Sequence, residues 1–168
     1  NTVGFGGRVT GDEEPKYLNS PETPAYHKSF VLYGLNWAKE SIKEKKVAIL
    51  MEGYMDVIMA HQAGTTNAVG TSGTALTPEQ LKLIKRYTSH VAFAFDQDSA
   101  GLEATFRAIE LAQLAELNIQ IIAIPVGKDP DECIKQDPAV WQKATASAHH
   151  IVDYFIKNLL SASFENIE

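Results

Sequence analysis

With 168 residues, 45% of them hydrophobic and 21% charged, the chain suits one globular domain with an appendage. Its formal charge of −6 argues against a simple basic nucleic-acid-binding domain, and its single cysteine, Cys133, leaves neither an internal disulfide nor a cysteine-rich zinc site. No stretch approaches the roughly 20 unbroken apolar residues of a membrane span and no basic-then-apolar leader is seen, so a reducing, cytoplasmic setting with no membrane partner is expected.

The chain starts at Asn1 rather than Met, on the apolar, glycine-rich run VGFGGRV, as a piece of a longer protein would. Residues 1–30, rich in Gly, Pro, Thr and Asn, predict short strands and turns. Phe30 to Lys46 predicts a helix, with Leu32, Leu35 and Ile42 at near-helical spacing and Lys43-Glu44-Lys45-Lys46 as its solvated end. Val47–Met51 is a short apolar run, the mark of a strand buried on both faces. Met55 to Gln62 reads as a helix ending at Gly64, and 66–70 as a weaker strand. Thr77, Pro78 and Gln80 form a helix start with a capping box, and Leu76 and Leu81 are spaced to staple it. Val91–Phe95 is a second buried strand. Leu102, Phe106 and Ile109 mark the inward stripe of a helix reaching about Leu117. Ile119–Ile124 is a further strand, stopped by Pro125 and Gly127. From Pro138 the tail predicts helix, with Trp141, Ile151, Tyr154, Phe155, Leu159 and Leu160 available for packing. This alternation implies a parallel sheet with right-handed crossovers and helices on its faces.

Ligands bind such sheets at the carboxyl ends of the strands, and three of the four strands end there in acids. The first runs into Glu52-Gly53-Tyr54-Met55-Asp56, the third into Asp96-Gln97-Asp98, and the fourth, after Gly127, into Asp129-Pro130-Asp131. Singly these have plainer explanations: Asp96 and Asp98 suit a helix N-terminus, and Asp129-Pro130-Asp131 suits a turn. Jointly they are six carboxylates directed to one small volume, and they account for the whole formal charge. Such a cluster repels itself unless a cation compensates, and Mg²⁺ (or Mn²⁺) prefers these hard oxygen ligands. Two ions could activate an attacking 3′-hydroxyl and stabilise a leaving pyrophosphate, with Glu52 as general base or orienting group.

EGYMDV at 52–57, FDQDSAG at 95–101 and KDPDECI at 128–134 resemble the three acidic motifs of the TOPRIM fold, which bacterial primases, topoisomerases and some nucleases share. VGFGGRV at 3–9, PKYLNSPET at 15–23, His27-Lys28 and LYGL at 32–35 resemble the stretch that precedes TOPRIM in bacterial DnaG-type primases. The resemblance implies an α/β fold: a TOPRIM-type parallel sheet flanked by helices over 46–137, preceded by part of a small α+β subdomain over 1–45 and followed by a helical tail over 138–168. It implies a DNA-dependent RNA polymerase of the replisome, making short RNA primers from ribonucleoside triphosphates on single-stranded DNA. The replicative helicase would be engaged through a domain this chain lacks, and any zinc-binding domain would lie outside it too.

By motif position, Glu52, Asp96 and Asp98 carry over as catalytic acids, and Glu52, Asp56, Asp96, Asp98, Asp129 and Asp131 as ligands of two or more Mg²⁺ or Mn²⁺ ions. Arg8, Lys16 and Lys28 match basic positions that contact nucleotide phosphates or template, although composition alone would make them scattered solvated bases. Lys128 is either a triphosphate ligand or a local counter-charge. One departure stands out: the family has Gly where this chain has Gln97, so the turn carrying Asp98 is strained or shifted if that Gly supplies a positive φ. Tyr17 and Asn19 lie in the matched block without an assigned role. His149-His150 on a helix and a buried Cys133 read as packing or surface, and Thr71-Ser72-Gly73-Thr74 is a weak phosphate-loop signal. A TOPRIM nuclease or topoisomerase, and a non-catalytic nucleic-acid-binding module holding one ion, are the alternatives.

Overall fold

The computed structural model describes residues 2–9, 17–96, 99–154 and 156, with backbone alone for 99–102. Lys16, Gln97, Asp98, Phe155, Leu159, Leu160 and the side chain of Leu102 therefore lie outside the described residues. The chain opens on an antiparallel pair, β1 (Gly6–Arg8) and β2 (Tyr17–Asn19), with Arg8 opposite Tyr17. A 3₁₀ turn at Lys28–Phe30 leads to α1 (Leu35–Lys45). There follow β3 (Ala48–Met51), α2 (Tyr54–Gln62), β4 (Ala68–Gly70), α3 (Pro78–Lys85), β5 (His90–Phe93), α4 (Ser99–Leu114), β6 (Asn118–Ile121), α5 (Pro130–Gln136), α6 (Pro138–Ala146) and β7 (His149–His150).

The sheet has the order β4-β3-β5-β6-β7, parallel throughout except for β7. The chain steps from β3 outward to β4, then crosses back over β3 to β5 and on to β6. Steps in opposite directions place their helices on opposite faces when all crossovers share one hand. The two apolar layers obey this. Leu50, Val69, Val91, Phe93 and Ile119 pack with Ile42 of α1, Leu81 and Ile84 of α3, and Ile109 and Ala112 of α4. Ile49, Met51, Ala92 and Ala94 pack on the other face with Val57 and Ala60 of α2, Cys133 and Ile134 of α5 and Trp141 of α6. Adjacent strand residues belong to opposite layers, as the two-residue strand period requires. Cys133 is buried, as expected of a structural thiol.

Four local expectations change. The helix predicted from Phe30 starts only at Leu35, because Gly34 takes φ +81° and a Cβ there would stand 3.0 Å from Val57 Cγ1. Phe106 is exposed, not inward: Ala104, Ala108 and Ala112 form the seam of α4, and residue 106 is turned roughly 200° from either neighbour in that seam. β6 ends at Ile121, and Ile122 and Ile124 are buried beyond it, with the Ile122 N–H still donating to the carbonyl of Phe93 at 2.9 Å. His149 and His150 are not helical, since they pair antiparallel with Ile121 and Gln120 and satisfy the outer side of β6. Residues 151–154 then resume helix. Among the described residues, no helix is long and apolar enough to cross a membrane.

The N-terminal segment is tied to the sheet by backbone and amide bonds. Tyr33 and Gly70 exchange both N–H···O bonds, at 2.9 and 3.0 Å. Gln80, fully buried, donates through Nε2 to the carbonyls of Lys28 and Val31 at 3.1 and 2.8 Å, while its Oε1 accepts the N–H of Thr77 and completes the expected capping box. Gln80→Ala removes two donors to carbonyls and the acceptor for the Thr77 N–H, and denaturant unfolding is expected to show a loss of about 2–4 kcal/mol. A change below about 0.5 kcal/mol would mean that water replaces those bonds freely.

Candidate metal and nucleotide site

The order β3-β5-β6 makes adjacent the three strands that end in acids, and the connections leaving the neighbours β3 and β5 run in opposite directions across the sheet. That is the place where open α/β sheets leave a crevice for ligands. A cavity of about 350 Å³ lies there. Glu52, Asp56, Asp96, Asp129, Asp131 and Glu132 line it, with Arg8, Lys128 and Lys135 as cations in its wall. Five of the six expected acids are thus brought together, and the sixth, Asp98, lies outside the described residues.

Each acid is held by the turn that carries it. Glu52 follows the fully buried Met51, and its Oε1 accepts the N–H of Asp96 at 3.2 Å, joining the β3 and β5 turns. Asp56 is buried and spans two turns: Oδ2 accepts the N–H of Gly53 at 3.0 Å, and Oδ1 accepts the N–H of Asp131 at 3.1 Å. Asp129 caps α5, accepting the N–H of Glu132 at 2.7 Å, with Pro130 at the first helical position. Asp131 Oδ2 accepts from Lys135 Nζ at 2.6 Å, one turn along the same helix. Its other oxygen, Oδ1, is buried with no hydrogen-bond partner among the described residues.

Burial, assisted by the charges of Asp129 and Asp131, pushes the Asp56 carboxyl up from its ordinary 3.8 to about 6, against the pull of its two N–H donors. The hydrogen bond that Lys135 donates to Asp131 raises Lys135, and the bond with Glu132 raises Lys128 while lowering Glu132. Lys128 Nζ stands 3.0 Å from Glu132 Oε1, so its ion-pair partner is Glu132 and not its sequence neighbour Asp129. Arg8 is exposed on the hairpin, 5.6 Å from the centroid of the Tyr17 ring. Lys28 sits apart, half-buried in the turn against α3, where its backbone N–H donates to Glu22. Lys16 is outside the described residues.

Sequence reasoning missed Lys135, Tyr17, Tyr54 and Glu132 as wall residues. For Lys135 the signal was available, because Asp131 and Lys135 are four apart on a helix. Among the described residues no three acidic, histidine or cysteine side chains are grouped as a complete ligand set for one ion. The donor chemistry nevertheless fits a hard divalent cation. Hard oxygens surround the cavity, one of them buried and unsatisfied, and Mg²⁺ commonly takes only one or two carboxylates alongside waters and substrate phosphates.

Residues 49–134 match the Toprim-like family, and residues 1–39 match the N-terminal domain of the DNA primase catalytic core. The DNA primase of Clostridium acetobutylicum is 46% identical over 167 residues, which cover 98% of this chain and 27% of that protein. The Aquifex aeolicus primase, solved as its zinc-binding and RNA polymerase domains, aligns with a TM-score of 0.86 at 37% identity, covering 97% of this chain and 41% of that one. A DnaG primase catalytic domain bound to ssDNA aligns with a TM-score of 0.80 at 34% identity, covering 95% and 52%. The chain belongs to the Toprim-like family. Its kin there are bacterial DNA primases of the DnaG type, whose catalytic core it matches; it spans about a quarter of the length of such curated relatives.

The Asp56 shift has a direction that can be measured without metal. Because the folded carboxyl titrates above its ordinary value, its stabilising protonated form is fully present below about pH 4 and is lost as pH rises through about 6. Relative to Asp56→Asn, the metal-free wild type is therefore expected to lose about 2–3 kcal/mol between pH 4 and pH 7 in denaturant unfolding. Parallel stability curves for the two proteins would remove the assignment of Asp56 as the strained acid.

Proposed function

We propose that this chain is the metal-binding, nucleotidyl-transfer part of a DNA primase, joining ribonucleoside triphosphates into short RNA primers on single-stranded DNA within the replisome. The observation that carries this reading is the convergence of Glu52, Asp56, Asp96, Asp129 and Asp131 on one cavity whose wall also holds Arg8, Lys128 and Lys135. Acids alone would suit many metal sites. Acids faced by three cations suit a substrate that brings metal and phosphate together.

In this reading Glu52, Asp96, Asp129 and Asp131 hold Mg²⁺ or Mn²⁺, with Asp98 a further ligand from the same motif as Asp96. When bound, the ions supply Lewis acidity at the attacking and leaving oxygens. Asp131 contributes its unpartnered Oδ1, while Lys135 donates to Oδ2 and fixes the carboxylate plane. Asp56 serves the site indirectly, by holding the turns at Gly53 and Asp131 in register. Glu52, anchored on the N–H of Asp96, accepts or orients the proton of the attacking 3′-hydroxyl. Arg8 offers a planar fork for phosphate oxygens, and Lys128 a point charge once it leaves Glu132. Residues 1–45 would supply template and phosphate contacts and 46–137 the metal chemistry. Lys28, on the far turn, is assigned to template rather than to the reacting phosphates.

Full-length protein containing this chain, given single-stranded template, Mn²⁺ and labelled ribonucleoside triphosphates, is expected to make short RNA. Asp96→Asn should weaken Mn²⁺ binding roughly tenfold or more in calorimetry and reduce primer synthesis about 10²–10³-fold. Unchanged metal affinity in Asp96→Asn would overturn the site. Nicked DNA without RNA would point to nuclease chemistry, and metal-dependent nucleotide binding without either product to a binding module.

A further inference from the structure

We infer that Tyr54, which lies inside the first acidic motif without being an acid or a cation, is a positioning residue that fixes the phosphate-binding wall over the metal-binding floor. This rests on the proposed function and assigns a role that the acidic motifs do not.

Three contacts place it. Its hydroxyl donates to Asn19 Oδ1, and Asn19 Nδ2 in turn donates to the carbonyl of Ser72 at 3.2 Å. Its ring meets Tyr33 edge-on, centroids 4.8 Å apart at 80°, and lies 6.5 Å from the ring of Tyr17. A Cβ on Gly6 would stand 2.5 Å from Tyr54 Cζ, so the backbone of β1 lies directly on the ring. Tyr54 thus touches both strands of the β1–β2 pair. It also stands between two cavities, lining the acid site on one side and, on the other, a groove bounded by residues 2–6 and Tyr33.

What the hairpin carries gives these contacts a purpose. Arg8 and Tyr17 are register partners on β1 and β2, and both line the acid cavity. The hairpin is short and largely exposed, with Leu18 and Phe5 at the surface, so it has little core of its own to fix its position. The Ser72 carbonyl reached through Asn19 adjoins Gly73, whose N–H donates to the carbonyl of Glu52 at 3.0 Å. One side chain therefore links the hairpin wall, the 71–74 loop and the turn bearing Glu52 and Asp56. Removing it leaves the acids held by their own backbone bonds but lets Arg8 and Tyr17 drift from the phosphates.

The test separates binding from chemistry. In the full-length protein, Tyr54→Phe is expected to raise the KM for ribonucleoside triphosphate three- to tenfold, with kcat within twofold of wild type and Mn²⁺ affinity unchanged by calorimetry. Asn19→Ala should reproduce this, and the double variant should be no worse than the more impaired single one, because both changes break one linkage. Gly6→Ala, which forces the hairpin off the ring, should shift KM in the same direction. The inference is overturned if Tyr54→Phe binds nucleotide as wild type does, if the two effects multiply, or if kcat falls with KM unchanged. Loss of Mn²⁺ affinity in Tyr54→Phe overturns it as well, since the floor would then depend on the wall. A wild type that neither binds nucleotide nor makes RNA refutes the primase reading instead, and that result is distinct from a normal wild type with a normal Tyr54→Phe.

Discussion

A carboxylate accepting backbone N–H bonds from its own turn and from another 75 residues further along the chain sets the geometry on which the acidic cavity depends. Asp56 ties the turn after β3 to the first turn of α5, and through α5 it sets where Asp129 and Asp131 stand. The arrangement is unfavourable in isolation: the group is buried, its pKa is raised by that burial, and two neighbouring aspartates repel it. The N–H donors offset part of this cost, and the apolar layer around Val57, Ile134 and Trp141 holds the two helices together. Cohesion of that layer lets the like charges be stored close to one another. The orphaned Asp131 oxygen marks where the storage is incomplete, and it makes a cationic ligand the natural completion.

Much of this was legible in the sequence because parallel sheets leave a plain record. Strands covered on both faces must be apolar throughout, so Val47–Met51 and Val91–Phe95 stand out, and the acids that follow them fall at equivalent topological positions. The capping box at Thr77 and Gln80 was equally clear, since all its partners lie within four residues. Residues whose environment is made by distant chain resisted this reading. Gly34 delays α1 because of Val57, on another helix. His149 and His150 become strand only because β6 has an open side, which a local helical pattern cannot reveal. Phe106 looked inward by its apolarity, yet the sheet selects the alanine seam of α4 instead, where small side chains allow close approach. The convergence of acids was foreseeable from topology, whereas the particular bonds that hold them, from Gly53, Asp96 and Asp131 backbone, were not. Tyr54 was invisible as a contact because its partners, Asn19 and Gly6, lie in a separate hairpin.

The charge balance also acquires a location. For the proposed nucleic-acid role, a net −6 would be paradoxical only if the charge were spread over the surface. Here the acids gather at the strand ends while Arg8, Lys128 and Lys135 stand around them, so the negative potential is focused in one crevice. The glutamate of the Lys128–Glu132 pair is one helical turn from the capping Asp129, so this cation is held beside the acids without neutralising them directly.

The two outermost parallel strands share a feature with a consequence for how partners approach. Gly70, the last residue of β4, exchanges both backbone bonds with Tyr33, and Gln120 and Ile121, the last residues of β6, are paired by His150 and His149. The margins of the parallel sheet are closed at the same end that bears the acids. Among the described residues, a foreign strand therefore cannot take those positions of β4 and β6, neither as a peptide adding itself by β-augmentation nor as another copy pairing edge to edge. Whatever reaches the acidic crevice comes end-on to the strands, reading side chains and turn amides instead of sheet backbone. In the proposed reading, a flexible phosphodiester chain would take that approach.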